Sequence, residues 1–351
     1  MNKINVIYLL PELKGPSGGA KVIYKNSLIL NKVNQKVESK ILYVKKKLMY
    51  KLQISLAKKI KLKNFLLGGW DGKKMKESSN FLPNKSWFKG KIKFAKNLNF
   101  QSSKDFIIIP EIFAHFAVDL DLKNQKIKYA ILVQGSYHMN STEDYDKLYL
   151  SYKNANLILV TSIEAKKFIE NIFPTFKNKI FKIKQSINSS QKKIVKKNYI
   201  TCMPKKLPAH FHLLKFFIKD KLPKNWKIDI LENISENQLE YKINRSKIFL
   251  SFSHLEGFGL PPLEAALAKN KVIGYVGGGG DEYWKKPMFH EVKYGDINSF
   301  GKTLLREIKN YSKSWIENTK KERIYLSKKY SMLGQEKCIS TLSKKILSFY
   351  S

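Results

Sequence analysis

A chain of 351 residues exceeds one ordinary domain and leaves room for two, each able to bury its own core. Hydrophobic residues make up 43% and aromatic residues 13% of it, which excludes an intrinsically disordered chain. The formal net charge of +38 favours anionic surroundings, but arginine stands only at Arg245, Arg306 and Arg323, so the bidentate contacts of a sequence-reading nucleic-acid protein are missing and the charge reads first as compositional.

In chain order, residues 4–10 (INVIYLL) form a short apolar run, as in a strand covered on both faces. A glycine-rich break with Gly18 and Gly19 follows, then a helix over 20–30 and a strand over 40–44. The stretch from Lys45 to Leu67 carries no acidic residue. As a helix it would gather Met49, Leu52, Leu56 and Ile60 on one side, and it reads equally as an interfacial helix on anionic lipid or as an ordinary surface segment. Strands are expected over 106–110, 129–133 and 157–161, with helices over 142–153 and 163–172. After a polar, lysine-rich linker over 189–198 the alternation restarts, with strands at 199–203, 226–231, 248–252 and 271–276 and helices at 211–219, 235–244 and 262–268. Beyond Lys302 the pattern is helical to the end. Strands alternating with helices predict α/β architecture with parallel sheets, in two Rossmann-like domains that face across a ligand-binding cleft. The expected division is 1–190, 191–330 and a last helix over 331–351 that crosses back onto the first domain.

Cys202 and Cys338 stand in no metal-ligand spacing and exclude a disulfide framework. The first apolar run is too short for a signal peptide, and none approaches the roughly 20 residues of a spanning helix. The expectation is a cytoplasmic protein with at most a peripheral hold on the inner face of a membrane.

The chemistry-bearing segment runs from Ser251 to Ala266 (SFSHLEGFGLPPLEAA), after a strand and into a helix. Gly257 and Gly259 let the main chain pass close to a ligand, while Pro261 and Pro262 suit a helix start. The amino end of that helix can meet a phosphate. Glu256 and Glu264, separated by seven residues, can accept hydrogen bonds from vicinal hydroxyls of a ribose and a hexose.

With its Gly-Phe-Gly-Leu-Pro core, and with Val272 to Tyr275 and the run Gly277 to Gly280 behind it, this segment resembles the E-x7-E signature of family-4-type retaining glycosyltransferases of the GT-B fold. The resemblance implies that Glu264 holds the donor ribose, and that Glu256 with Gly257, Phe258, Gly259 and Leu260 holds the donor sugar. It makes Gly18 and Gly19 the glycine loop of the first domain, and places Lys205 and Lys206 against the leaving diphosphate. His138, in Gln134-Gly135-Ser136-Tyr137-His138, matches the active-site histidine; Gln134 in the equivalent place is the alternative and His115 the reserve. The implied reaction moves a sugar from a nucleotide sugar, with retention, to a glycan or lipid-linked hydroxyl, with no cofactor and no metal. Three alternatives stand beside it. A metal-dependent transferase would use Asp119-Leu120-Asp121 or Asp144-Tyr145-Asp146, a sugar-nucleotide epimerase would share the fold, and a basic nucleic-acid-binding protein is suggested by charge alone.

Overall fold

The computed structural model describes residues 3–12, 17–48, 73–78, 88, 90–140, 142–187 and 194–351. It divides into two compact units, Met1–Ile183 with Glu336–Ser351, and Lys184–Gln335. In the first unit β1 (Ile4–Pro11) leads to α1 (Gly18–Val33), followed by β2 (Val37–Leu48), β3 (Lys73–Glu77) and β4 (Asp105–Pro110). The short α2 (Phe116–Asp119), β5 (Lys128–Val133), α3 (Tyr145–Asn154), β6 (Leu157–Val160), α4 (Ile163–Ile172) and β7 (Ile180–Lys182) complete it. The sheet order is β3-β2-β1-β4-β5-β6-β7, parallel except for β3, which runs antiparallel to β2.

All residues of β4 and β6 are buried, because strands covered on both faces cannot alternate apolar with polar side chains. Ile107 and Ile109 enter one core layer with Phe116 of α2, Leu148 of α3 and Ile169 of α4. Phe106 and Ile108 enter the opposite layer with Ile23 of α1. The last helix, α11 (Met332–Leu347, numbered after those below), sends Ile339, Leu342 and Ile346 into that second layer. Behind it Phe349 stacks on Phe106 at 6.1 Å, and the Tyr350 hydroxyl donates to the Asp105 carbonyl at 2.6 Å.

The second unit contains β8 (Tyr199–Cys202), α5 (Pro208–Ile218), β9 (Lys227–Ile230), α6 (Glu236–Arg245), β10 (Ile248–Phe252) and α7 (Leu260–Leu267). There follow β11 (Lys271–Tyr275), β12 (Phe289–Glu291), α8 (Ile297–Lys309), α9 (Ser314–Asn318) and α10 (Lys320–Lys329). Its strand order is β12-β11-β10-β8-β9, all parallel. Phe249, Val272 and Leu263 build one layer with Leu326 of α10; Leu250 and Ile273 build the other with Leu214 of α5 and Leu304 of α8.

In each sheet the chain reverses its direction of travel across the strands, between β1 and β4 in the first and between β8 and β10 in the second. Loops at the carboxyl ends of those paired strands diverge and leave room for a ligand, which is why open α/β sheets bind there. Gly18 and Glu111 follow the first pair of strands, and Lys205, Lys206 and Glu256 follow the second.

Several expectations are revised. Residues 45–48 close strand β2 rather than open a helix, and the remainder of the Lys45 to Leu67 segment lies outside the described residues, as do 189–193 of the expected linker. The edge strands β3, β7 and β12 were not anticipated, and α7 begins at Leu260, two residues before the expected start. Among the described residues no helix is long and apolar enough to cross a membrane.

Candidate functional site

Glu256 lies in the loop between β10 and α7, and its backbone is clamped to the loop after β11. Its N–H donates to the Gly277 carbonyl at 2.8 Å, and its own carbonyl accepts the Gly279 N–H at 2.9 Å. This short parallel bridge continues the β10–β11 pairing past the end of the sheet. Two glycines make the approach possible. A Cβ on Gly279 would stand 2.2 Å from the Gly257 carbonyl oxygen, so only glycine fits. Gly259, at φ 76, turns the chain into α7 as its N-cap.

Pro261 and Pro262 occupy the second and third positions of α7. They remove two of the four N–H groups that a helix start normally presents. The main-chain N–H groups of Gly257, Phe258 and Gly259 donate to nothing among the described residues. Successive free N–H groups before a helix are of the kind that can meet an anionic oxygen.

The carboxylate of Glu256 meets Lys206, whose Nζ stands 2.7 Å from its Oε1. Lys206 ends the short turn Pro204–Lys206 directly after β8, and neighbouring Lys205 is exposed. Both pair members are partly open to solvent, so the contact contributes about 1 kcal/mol at most; its significance is positional. It joins the β8 and β10 loops across the point where the strand order reverses.

Glu264 lies one turn inside α7, half-buried. Beneath the loop, the fully buried Tyr283 donates its hydroxyl to the Gly259 carbonyl and packs against Phe258 at 5.6 Å. Burial holds that hydroxyl protonated far above the usual tyrosine range, and Tyr330, Glu256, Glu282 and Glu264 add to the effect through their charge. The charges of Glu256 and Glu264 thus both reach one buried hydroxyl. Tyr283 escaped the sequence reading, and its only signal was a tyrosine closing the run Gly277 to Glu282. His254, part of the Ser251–Ala266 segment but given no role from sequence, stacks on Tyr294 at 4.9 Å beside Tyr275.

In the first unit Ser17 caps α1, its Oγ accepting from the Ala20 N–H at 3.4 Å, and Gly18 and Gly19 open the helix. The Gln134 amide nitrogen donates to the Gly19 carbonyl at 2.9 Å, so the glycine loop and the loop after β5 meet through Gln134. His138 stands exposed in the turn Ser136–His138, whereas His115 is 3% exposed and lies against Phe116 at 4.1 Å. Three of the four aspartates of the two Asp-x-Asp sequences have structural partners: Asp119 pairs with Lys147 at 2.5 Å, Asp121 accepts from Asn124 at 2.7 Å, and Asp144 caps α3. Among the described residues no group of three His, Cys, Asp or Glu side chains could hold a metal ion.

No family model and no curated protein matches the chain. Solved structures do. A mutant of S. aureus TarM in complex with Fondaparinux, alpha-GlcNAc-glycerol and UDP is similar at a TM-score of 0.63 and 12% identity, over 99% of this chain and 100% of that one. Sucrose-phosphate synthase from Thermosynechococcus elongatus is similar at 0.63 and 10% identity, over 99% and 100%. The N-terminal domain of Candida albicans trehalose-6-phosphate phosphatase is similar at 0.61 and 12% identity, over all of both chains. Likeness at such low identity establishes architecture, and the chain accordingly has the mixed α/β, parallel-sheet architecture of the GT-B fold.

Proposed function

We propose that the protein is a glycosyltransferase that moves a sugar from a nucleoside-diphosphate sugar to a hydroxyl group of a glycan or lipid-linked acceptor. The observation that carries this reading is the Glu256–Lys206 pair at the reversal point of the second sheet, beside three N–H donors uncommitted among the described residues. Carboxylates for sugar and ribose hydroxyls, with a lysine and bare N–H groups for a diphosphate, are what such a donor requires. TarM, which has the same fold, was crystallised with UDP and a GlcNAc-bearing compound, and this agrees with that donor class.

In the proposed reaction the acceptor oxygen bonds to the anomeric carbon on the face from which the diphosphate leaves, so configuration is retained. The bond from that carbon to the diphosphate oxygen breaks, and the acceptor proton passes to the departing phosphate. Lys206, Lys205 and the N–H groups of Gly257 to Gly259 stabilise the leaving charge, and Glu256 supports the oxocarbenium-like sugar. These groups supply positive field without a metal ion. We place the donor on the second unit and the acceptor on the first.

A thermal-shift series with UDP, ADP, GDP and CDP tests the donor assignment. A nucleotide at about 100 times its Kd stabilises the folded chain by roughly 2.7 kcal/mol, so one base stands out by a rise of several degrees. Glu264→Ala removes a charge-assisted hydrogen bond to the ribose and weakens that nucleotide by about ten- to a hundredfold. No shift with any of the four contradicts the assignment. Product analysis with and without acceptor separates transfer from epimerisation.

A further inference from the structure

Glu111 follows β4 directly, at the reversal point of the first sheet, and is 4% exposed. Its Oε1 accepts the Gly135 N–H at 3.1 Å, while its Oε2 is buried with no hydrogen-bond partner among the described residues. The loop that it supports is tied at two further points. Gln134 reaches the Gly19 carbonyl, and the Ser136 hydroxyl donates to Glu164 Oε1 at 2.6 Å. One acid thus forms the floor of a loop whose sides are held by the glycine loop of α1 and by α4.

The surroundings disfavour a charge on that acid. Burial pushes its pKa up to about 7 against the opposing pull of main-chain N–H groups at Gln134, Glu111 and Gly135, and no cation enters that balance. From α3 it is faced by Tyr152, whose buried hydroxyl lacks a partner among the described residues and would be disturbed by a charge on Glu111. From α4 comes Glu164, a second acid, through Ser136. His115 follows the turn that Glu111 opens, and Tyr137 and His138 stand on the loop itself. A buried carboxylate without a counter-ion must be neutral or disturb its neighbours.

We propose that Glu111 is a positioning residue: as the neutral acid it fixes the 134–138 loop against Gly19, and its ionisation releases that loop. Its consequence for catalysis rests on the reading of the first unit as the acceptor side of a glycosyltransferase. This loop holds Gln134 and presents the turn that ends in His138, so loosening it slows transfer without changing the donor-binding residues.

Amide exchange over 134–140 in the whole chain, compared at equal pH so that intrinsic chemistry cancels, tests the proposal. At pH 4.5 the wild type and Glu111→Gln protect the Gly135 N–H alike. At pH 8.5 the wild-type segment exchanges at least tenfold faster than that of Glu111→Gln, and Glu111→Ala is unprotected at both values. Because the folded acid titrates above its ordinary value of 4.5, the wild-type Tm falls relative to the Gln variant as pH rises from about 4.5 to about 7, then runs parallel. The ratio of transfer rates, Gln variant over wild type, rises about tenfold from pH 6 to 8.5. An exchange ratio that does not change with pH overturns the proposal. Should the Gln variant fail to fold, pH-independent protection of Gly135 in the wild type overturns it alone. Absence of transfer by every form refutes the glycosyltransferase reading, while the exchange data still decide the role of Glu111.

Discussion

Glu256→Gln lowers kcat/KM for sugar transfer by a factor on the order of 100 to 1,000 while Tm stays near that of the wild type. The two expectations have separate origins. The amide keeps the shape of the side chain, and the main-chain bonds to Gly277 and Gly279 do not depend on it, so the loop remains in place. The ion pair lost with Lys206 is partly solvated and costs about 1 kcal/mol or less. What disappears, on the proposed mechanism, is the negative charge beside a sugar that becomes cationic as the diphosphate departs. Initial rates at several donor concentrations, beside a melting curve, measure both. An unchanged kcat/KM shows that Glu256 is a bystander.

Gly279→Ala has the second large effect, through the backbone alone. The new methyl would lie 2.2 Å from the Gly257 carbonyl oxygen and 2.6 Å from that of Glu256. Both obstacles are main chain, so no rotamer change relieves the overlap, and the two loops must part. The bonds Glu256 N–H to Gly277 and Gly279 N–H to Glu256 are lost together, and with them the placement of the Gly257 to Gly259 donors. Nucleotide affinity drops by about a hundredfold or more, and stability by roughly 1–3 kcal/mol, the usual penalty of overpacking. Nucleotide titration of the purified variant measures the first and its melting curve the second. Wild-type affinity would mean that the loop pairing does not organise the site.

The central strands were readable from sequence because they are buried on both faces: β5 and β6 carry unbroken apolar runs that few other structures accommodate. β3 was not readable, since Lys73–Glu77 is mostly charged and becomes a strand only by pairing with β2. β7 and β12, of three residues each, are too short to show a period. The loop between β10 and α7 was legible because its glycines, prolines and glutamates all lie within one stretch of chain. Its support was not. Tyr283 and the Gly277 clamp act from the far side of β11, and sequence order does not reveal which carbonyl a distant hydroxyl reaches. The start of α7, where a phosphate is expected, keeps the N–H groups of Leu260 and Leu263, while the prolines at its second and third positions carry none. Glu111 left one faint signal, an acid directly behind a wholly buried strand, where a charge is costly and a neutral acid is useful.

Hydrogen-exchange mapping of the whole chain, with and without the nucleoside diphosphate that stabilises it most, is the most direct test of the donor site. Slowed exchange confined to residues 203–207, 253–260 and 276–281 is the predicted result. Nucleotide bound with those three segments unprotected, or with protection centred on other loops, contradicts the account.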